Sequence, residues 1–266
     1  MKILFLSDLF TYYKESLSDE LLKVGVKNFE LTTETDNYKN DICFIIYSPT
    51  QKNGKKVKRD FSSYKNLIAV LSLYAGIEDI VENETLKCPL IKMIDNDGLT
   101  KSMIEWCLAH TLRLHLDIDK HILGQDGFWR HKIKPPIAKD RTVGILGLGA
   151  LGKPVAVFLN KIGFKVFGWS RTQKKIEHIK CLYGSDGLKQ ILSVSEILIL
   201  LLPLTSETRF ILNDQSLKLL PKNSKIINAG RGELIKDNAL IKKLRSGHVK
   251  NATLDVFQQE PLPKKH

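Results

Sequence analysis

Residues 197–202 read Ile-Leu-Ile-Leu-Leu-Leu, with Pro203 closing the run. A strand without a polar position has no face to offer to water. It belongs in a parallel sheet covered on both sides. Short apolar runs of this kind recur along the 266 residues and alternate with helical patterns. That alternation is the mark of repeated βα units. The runs predict strands near residues 3–6, 42–47, 67–71 and 90–94, then 142–147, 165–169, 197–202, 225–228 and 252–255. Helices are expected over 17–24, 151–161, 215–220 and 238–245, with a long one over 101–123. Ser102 and Glu105 have the spacing of a capping box at its start. Asn53-Gly54-Lys55-Lys56 reads as a turn or exposed loop.

The pattern changes around Asp95-Asn96-Asp97-Gly98, and Pro135-Pro136 marks a connector after the long helix. Two domains are expected, 1–100 and 101–266. Both are read as α/β with a doubly wound parallel sheet. The longest apolar run is far short of the ~20 residues of a membrane helix. The opening MKILFLSDLF is read as a first strand and not as a secretion signal, because Asp8 interrupts it. Cys43, Cys88, Cys107 and Cys181 form no C-x-x-C pair, so reduced thiols and a cytoplasmic setting are expected.

Charge is uneven. Residues 1–104 carry 14 Lys/Arg against 15 Asp/Glu, and residues 105–266 carry 27 against 14. Such an excess favours phosphate-bearing partners, or is a solvated lysine-rich surface.

The strongest motif is Gly147-Leu148-Gly149-Ala150-Leu151-Gly152, directly after a predicted strand and opening a predicted helix. In that setting it is a dinucleotide fingerprint. Gly147 is assigned the tight turn, Gly149 the close approach of a pyrophosphate, and Gly152 the contact of helix and strand. The amides of Ala150 and Leu151 are expected to face the phosphates. Gly147 to Lys153 also fits the start of a P-loop, but Pro154 stands where that motif needs a hydroxyl. A dinucleotide fold usually carries an acid ~20 residues beyond its glycines, on the adenosine ribose. Here the chain reads Ser170-Arg171-Thr172, with Lys174 and Lys175 close by. A carboxylate would repel a 2′-phosphate, whereas Arg171 would pair with it. NADP(H) is therefore expected over NAD(H).

Several blocks in order resemble the D-isomer-specific 2-hydroxyacid dehydrogenases, most closely the glyoxylate/hydroxypyruvate reductase A branch. They are residues 142–149, Leu202-Pro203-Leu204-Thr205-Ser206-Glu207-Thr208, Ile227-Asn228-Ala229-Gly230-Arg231-Gly232 and 254–261. The resemblance implies a flavodoxin-like substrate domain followed by an NAD(P)-binding Rossmann domain, arranged around a cleft. It implies that Arg231 holds the carboxylate and keto oxygen of a small 2-oxo acid, and that Glu260 is the acidic partner of a catalytic histidine. It implies that Asp255 faces the nicotinamide and that Pro203 and Thr208 line the cofactor. Ala75 and Gly76 match the loop whose amides bind the acid's carboxylate. A homodimer formed through the nucleotide domain is implied too, with Trp129 at an interface, in a cleft or in the core. Nucleic-acid and membrane partners are not expected.

The family's general acid is a histidine in a Thr-Pro-His motif, which occurs nowhere in these 266 residues. The chain reads as truncated, and is expected to bind NADP(H) but to reduce glyoxylate or hydroxypyruvate poorly or not at all. The alternative is a non-catalytic NAD(P)-sensing binding protein.

Overall fold

A computed structural model describes residues 1–33, 39–48, 51–52, 55–56, 59–74, 76–78, 80–93, 95, 97–129 and 134–266, with no description of the side chains of 51–52 and 55–56. The chain forms two compact units, Met1–Ile94 and Asp95–His266.

The first unit holds β1 (Lys2–Leu6), α1 (Phe10–Lys23), β2 (Glu30–Thr32), β3 (Ile42–Tyr47), β4 (Gln51–Lys52), β5 (Lys55–Lys56), β6 (Ala69–Ser72) and β7 (Leu90–Lys92). Its main sheet runs β2-β1-β3-β6-β7, with every pairing parallel. That is the flavodoxin-like order, in which the chain starts in the middle and winds both ways. Alternation of side chains along β1 explains its two-sided burial. Ile3 and Phe5 pack with Ile46 and, from α1, with Phe10, Tyr13, Leu17 and Leu21. Leu4 points the other way, towards Ile45, Val70, Phe61 and Ile80. The short strands β4 and β5 pair antiparallel, so Lys55 and Lys56 lie in a strand and not in the expected turn or loop, while Asn53 and Gly54 lie outside the described residues.

The second unit opens with α2 (Leu99–His115) and α3 (Ile118–Ile122). It continues through β8 (Thr142–Leu146), α4 (Gly152–Ile162), β9 (Lys165–Ser170), β10 (Lys180–Tyr183), α5 (Gly184–Val194) and β11 (Ile197–Leu200). It ends with α6 (Ser216–Leu219), β12 (Ser224–Asn228), α7 (Asp237–Arg245) and β13 (Val249–Leu254). The sheet runs β10-β9-β8-β11-β12-β13 and is parallel throughout. Numbered within the unit this is 3-2-1-4-5-6, the Rossmann order. All four residues of β11 are fully buried, as an apolar central strand requires. One face packs on α2 and α4 through Ile104, Cys107, Leu114, Val155 and Leu159. The other packs on α5, α6 and α7 through Ile191, Leu192, Leu217 and Leu240.

The structure corrects two sequence expectations in this unit. The first concerns the capping box. Ser102 and Glu105 lie inside α2, which already begins at Leu99. The Asp95 carboxylate takes the amides of Asp97, Gly98 and Leu99 at 2.8–2.9 Å, so the helix starts a turn earlier. Those three donors hold the Asp95 carboxyl below the usual carboxylate range. The expected division at 100/101 thus falls within α2, which belongs wholly to the second unit.

The second correction concerns the expected helix over 101–123, which is broken in two. Asp117 takes a left-handed conformation (φ 52°) between α2 and α3. Its carboxylate accepts from Lys225 Nζ at 2.8 Å, Lys250 Nζ at 3.0 Å and Lys120 Nζ at 3.1 Å. The Lys225 side chain is only 4% exposed, and its ammonium also donates to the Leu114 carbonyl oxygen. A buried ammonium needs such partners. Capturing it explains why α2 stops where it does.

Candidate active site

The residues singled out in the second unit gather at the carboxyl ends of its strands. In this fold a ligand lies there, at the point where the strand order reverses. That point is between β8 and β11.

Gly147 follows β8 with φ +106°, a conformation costly for any residue with a side chain. Its amide donates to the Trp169 carbonyl at 2.8 Å, which ties the turn to the neighbouring strand. A Cβ at Gly152 would fall on the Gly147 carbonyl oxygen, so α4 starts in direct contact with the turn. Gly149 is different. It is exposed, and a Cβ there would meet nothing within 4 Å. No side chain caps α4. The first amides of a helix have no acceptor within it, so this start presents free donors and the positive end of the helix dipole. Exposed Ala150 and half-buried Leu151 lie there. A closely approaching pyrophosphate fits this arrangement.

Ser170 ends β9, with its hydroxyl turned inward to the Thr172 carbonyl at 2.7 Å. Arg171 and Thr172 are exposed. The Arg171 guanidinium lies 3.4 Å from the Glu207 carboxylate, on the loop after β11. That loop carries Pro203 and Thr208. The Thr208 hydroxyl donates to the Pro203 carbonyl at 2.7 Å and accepts the Thr205 amide at 2.8 Å. Thr208 therefore shapes the loop from within.

After β12, the buried Asn228 side chain accepts the Gly230 amide at 3.1 Å and donates to the Arg231 carbonyl at 2.9 Å. Sequence reasoning passed over Asn228. Its place in the Asn-Ala-Gly-Arg-Gly block was the available signal. Arg231 is half-buried and donates to the Gly230 carbonyl at 2.7 Å. A Cβ at Gly232 would fall on the Phe257 carbonyl carbon, so the Arg231 turn and the segment after β13 touch backbone to backbone. In that segment the Glu260 carboxylate accepts the Phe257 amide at 2.9 Å. Asp255 is exposed at the end of β13, and its amide donates to the Asn228 carbonyl at 2.9 Å. Its charge reaches Cys107 on α2, whose thiol is pushed up to about 12 by burial first and by Asp255 second. Such a thiol is inert.

In the first unit Ala75 lies outside the described residues. Gly76 is half-buried, in the turn after β6, where Ser72 Oγ donates to the Tyr74 carbonyl and accepts its amide. Trp129 is 88% exposed and so is not a core residue of the second unit. Among the described residues no cluster of His, Cys, Asp and Glu could hold a metal ion, and no helix is long and apolar enough to cross a membrane.

Residues 106–266 match the family model for the NAD-binding domain of D-isomer specific 2-hydroxyacid dehydrogenases. Among curated proteins the chain is similar to glyoxylate/hydroxypyruvate reductase A of Yersinia enterocolitica. The two are 32% identical over 95% of this chain and 80% of that protein. Among solved structures it is similar to a D-isomer specific 2-hydroxyacid dehydrogenase from Xanthobacter autotrophicus, in complex with NADPH and MES. There the TM-score is 0.88 at 32% identity, over 100% of this chain and 83% of that one. It is also similar to an NADPH-dependent glyoxylate/hydroxypyruvate reductase from Sinorhizobium meliloti, in complex with NADP and sulfate. That likeness has a TM-score of 0.84 at 30% identity, over 100% of this chain and 84% of that one. With its Rossmann strand order, its glycine turn and the family model's match to most of its length, this chain belongs to the D-isomer specific 2-hydroxyacid dehydrogenase family.

Proposed function

We propose that the chain is an NADP(H)-dependent 2-oxo-acid reductase of the glyoxylate/hydroxypyruvate type. The observation that carries the cofactor choice is the end of β9. An exposed guanidinium, Arg171, stands where an acid would select the unphosphorylated ribose. The solved relatives from Xanthobacter autotrophicus and Sinorhizobium meliloti were obtained with NADPH and NADP, which supports the same choice.

When bound, the reduced cofactor supplies the hydride. The rest falls to this chain's own residues. Gly147, Gly149, Ala150, Leu151 and Gly152 receive the pyrophosphate. Ser170, Arg171 and Thr172 receive the phosphorylated ribose. Pro203, Thr208 and Asp255 border the remainder of the cofactor. Arg231 binds the acid's carboxylate and polarises its keto oxygen with a planar fork of donors. Asn228 and Gly232 fix that arginine's turn. The family resemblance assigns the acid's carboxylate also to Gly76 and to Ala75, the latter outside the described residues. Glu260 is the acid that would raise the pKa of a histidine brought beside it. No Thr-Pro-His sequence occurs within these 266 residues, so slow reduction is proposed for them, and binding is the more direct readout. The non-catalytic, NAD(P)-sensing alternative predicts the same binding and differs in turnover.

The test is a pair of dissociation constants. NADPH is expected to bind at least tenfold tighter than NADH, and Arg171→Ala is expected to remove most of that difference, since a charge-assisted contact to phosphate is worth ~1.5–3 kcal/mol. Equal affinities in the unaltered chain would refute the reading.

The proposed partner is a second copy of the chain. Leu123, Phe128 and Trp129 are 79–88% exposed within seven residues, a density of apolar surface unusual on a monomer. Leu123→Asp is expected to convert a dimer to a monomer in sedimentation equilibrium, with little change in NADPH affinity. A cytoplasmic location is proposed from the free cysteines.

A further inference from the structure

We infer that Glu207 is a specificity-determining residue that weakens the grip of Arg171 on a 2′-phosphate. The inference rests on the cofactor reading above and concerns the same end of the site.

Both side chains of the Arg171–Glu207 pair are exposed, and the turn that carries Glu207 is the braced one. Glu207 sits in a turn braced by its neighbours. Thr208 and Thr205 exchange amide-to-hydroxyl bonds at 2.8 and 3.2 Å, and the Arg209 amide donates to the Thr205 carbonyl at 2.9 Å. The Arg209 side chain pairs with Glu233 at 2.8 Å, which fastens the far end of the turn to the segment after β12. Arg171 is a long side chain at a strand end, 78% exposed, against 66% for the Glu207 side chain. Its Nη1 lies 3.4 Å from Glu207 Oε2.

A surface pair of this kind adds almost nothing to stability. Its effect on a ligand is another matter. Arg171 cannot close on a phosphate without either leaving Glu207 or holding both anions within a few ångströms of each other. A phosphate of nearly two negative charges is then opposed by a carboxylate whose backbone is held in a braced turn. Even in high dielectric such a like-charge contact opposes binding, and salt screens it only in part at close range. NADH lacks that phosphate and does not meet the opposition. Glu207 thus narrows the preference for NADPH that Arg171 creates.

The experiment titrates NADPH and NADH, by cofactor fluorescence, into the full 266-residue chain and its Glu207→Gln, Arg171→Ala and doubly substituted forms. Glutamine keeps the size and the backbone of the turn. The expected result is a three- to tenfold fall in the NADPH dissociation constant of Glu207→Gln and a change below twofold for NADH. The gain should shrink in 0.5 M salt, where the Debye length is only a few ångströms. In the Arg171→Ala background, Glu207→Gln should give a smaller gain, because the guanidinium is no longer divided between two anions. An equal change for both cofactors, no change, or weaker NADPH binding in Glu207→Gln overturns the inference. Failure of the underlying reading looks different: the unaltered chain would then show no preference for NADPH, and Arg171→Ala would affect both cofactors alike.

Discussion

Asp117→Ala is expected to lower the melting temperature of the second unit by ~6–12 °C, a large change for a residue outside the site. The reason is what it leaves behind. Lys225, 4% exposed, would be left in the interior with the Leu114 carbonyl as its one remaining partner among the described residues. Removing one member of a buried ion pair costs ~3 kcal/mol or more, and ~2–4 °C accompanies each kcal/mol in a unit of this size. Lys225→Met should cost less. Asp117 would still be held by Lys250 and Lys120, beside a cavity of about 180 Å³ that those residues line.

The pair also sets an acid dependence. Burial pushes the Asp117 carboxyl up, but hydrogen bonds from Lys225, Lys250 and Lys120 outweigh it and hold the group well below the usual carboxylate range. The folded value is depressed, so the stabilisation is complete above the unfolded carboxylate's ~4. It falls as the pH drops from there through the lower folded value. Thermal melts at pH 7, 4 and 3 check this. The unaltered chain should lose stability across that range, and the loss should be smaller in Asp117→Asn. Equal acid sensitivity in both would refute the assignment.

The second large effect is expected at the glycine turn, where two neighbouring substitutions should behave oppositely. Gly152→Ala puts a methyl group onto the Gly147 carbonyl oxygen. Backbone cannot rotate away as a side chain can, so α4 must shift from β8. Overpacking of this kind costs ~1–3 kcal/mol, and it moves the helix start that is to hold the pyrophosphate. A fall of several degrees in melting temperature and a loss of NADPH binding beyond tenfold are expected together. Gly149→Ala meets nothing within 4 Å in the protein itself. It should leave the melting temperature unchanged and still weaken NADPH, because the methyl group occupies the space the pyrophosphate approaches. Calorimetry and fluorescence titration on both variants separate the two. Unaltered cofactor affinity in Gly149→Ala would remove the pyrophosphate from this turn.

Elements whose structure is decided locally could be read from the chain. Residues 42–47 were expected as a strand and form β3 with those bounds, because an apolar, β-branched run leaves no helical alternative. Of the apolar run expected as a strand over 197–202, residues 197–200 form β11. What escaped was settled at a distance. The break at Asp117 depends on lysines 108 and 133 residues further on, and nothing near Asp117 announces them. The edge strands β2 and β10 are three and four residues long, too short for a period to show. In the site, the glycines and arginines stood out because their chemistry is unusual at those positions. Asn228, Thr205 and Glu207 did not. A residue that shapes a turn or opposes a ligand declares itself only through the partners the fold gives it.

Parallel pairing throughout both large sheets has a kinetic consequence. No two neighbouring strands can zip together as a hairpin, so each ladder forms only after a crossover segment has closed. High contact order slows such chains and leaves their apolar strands uncovered while they wait. Yield on expression should therefore depend on temperature and chaperone supply more steeply than native-state stability alone would suggest.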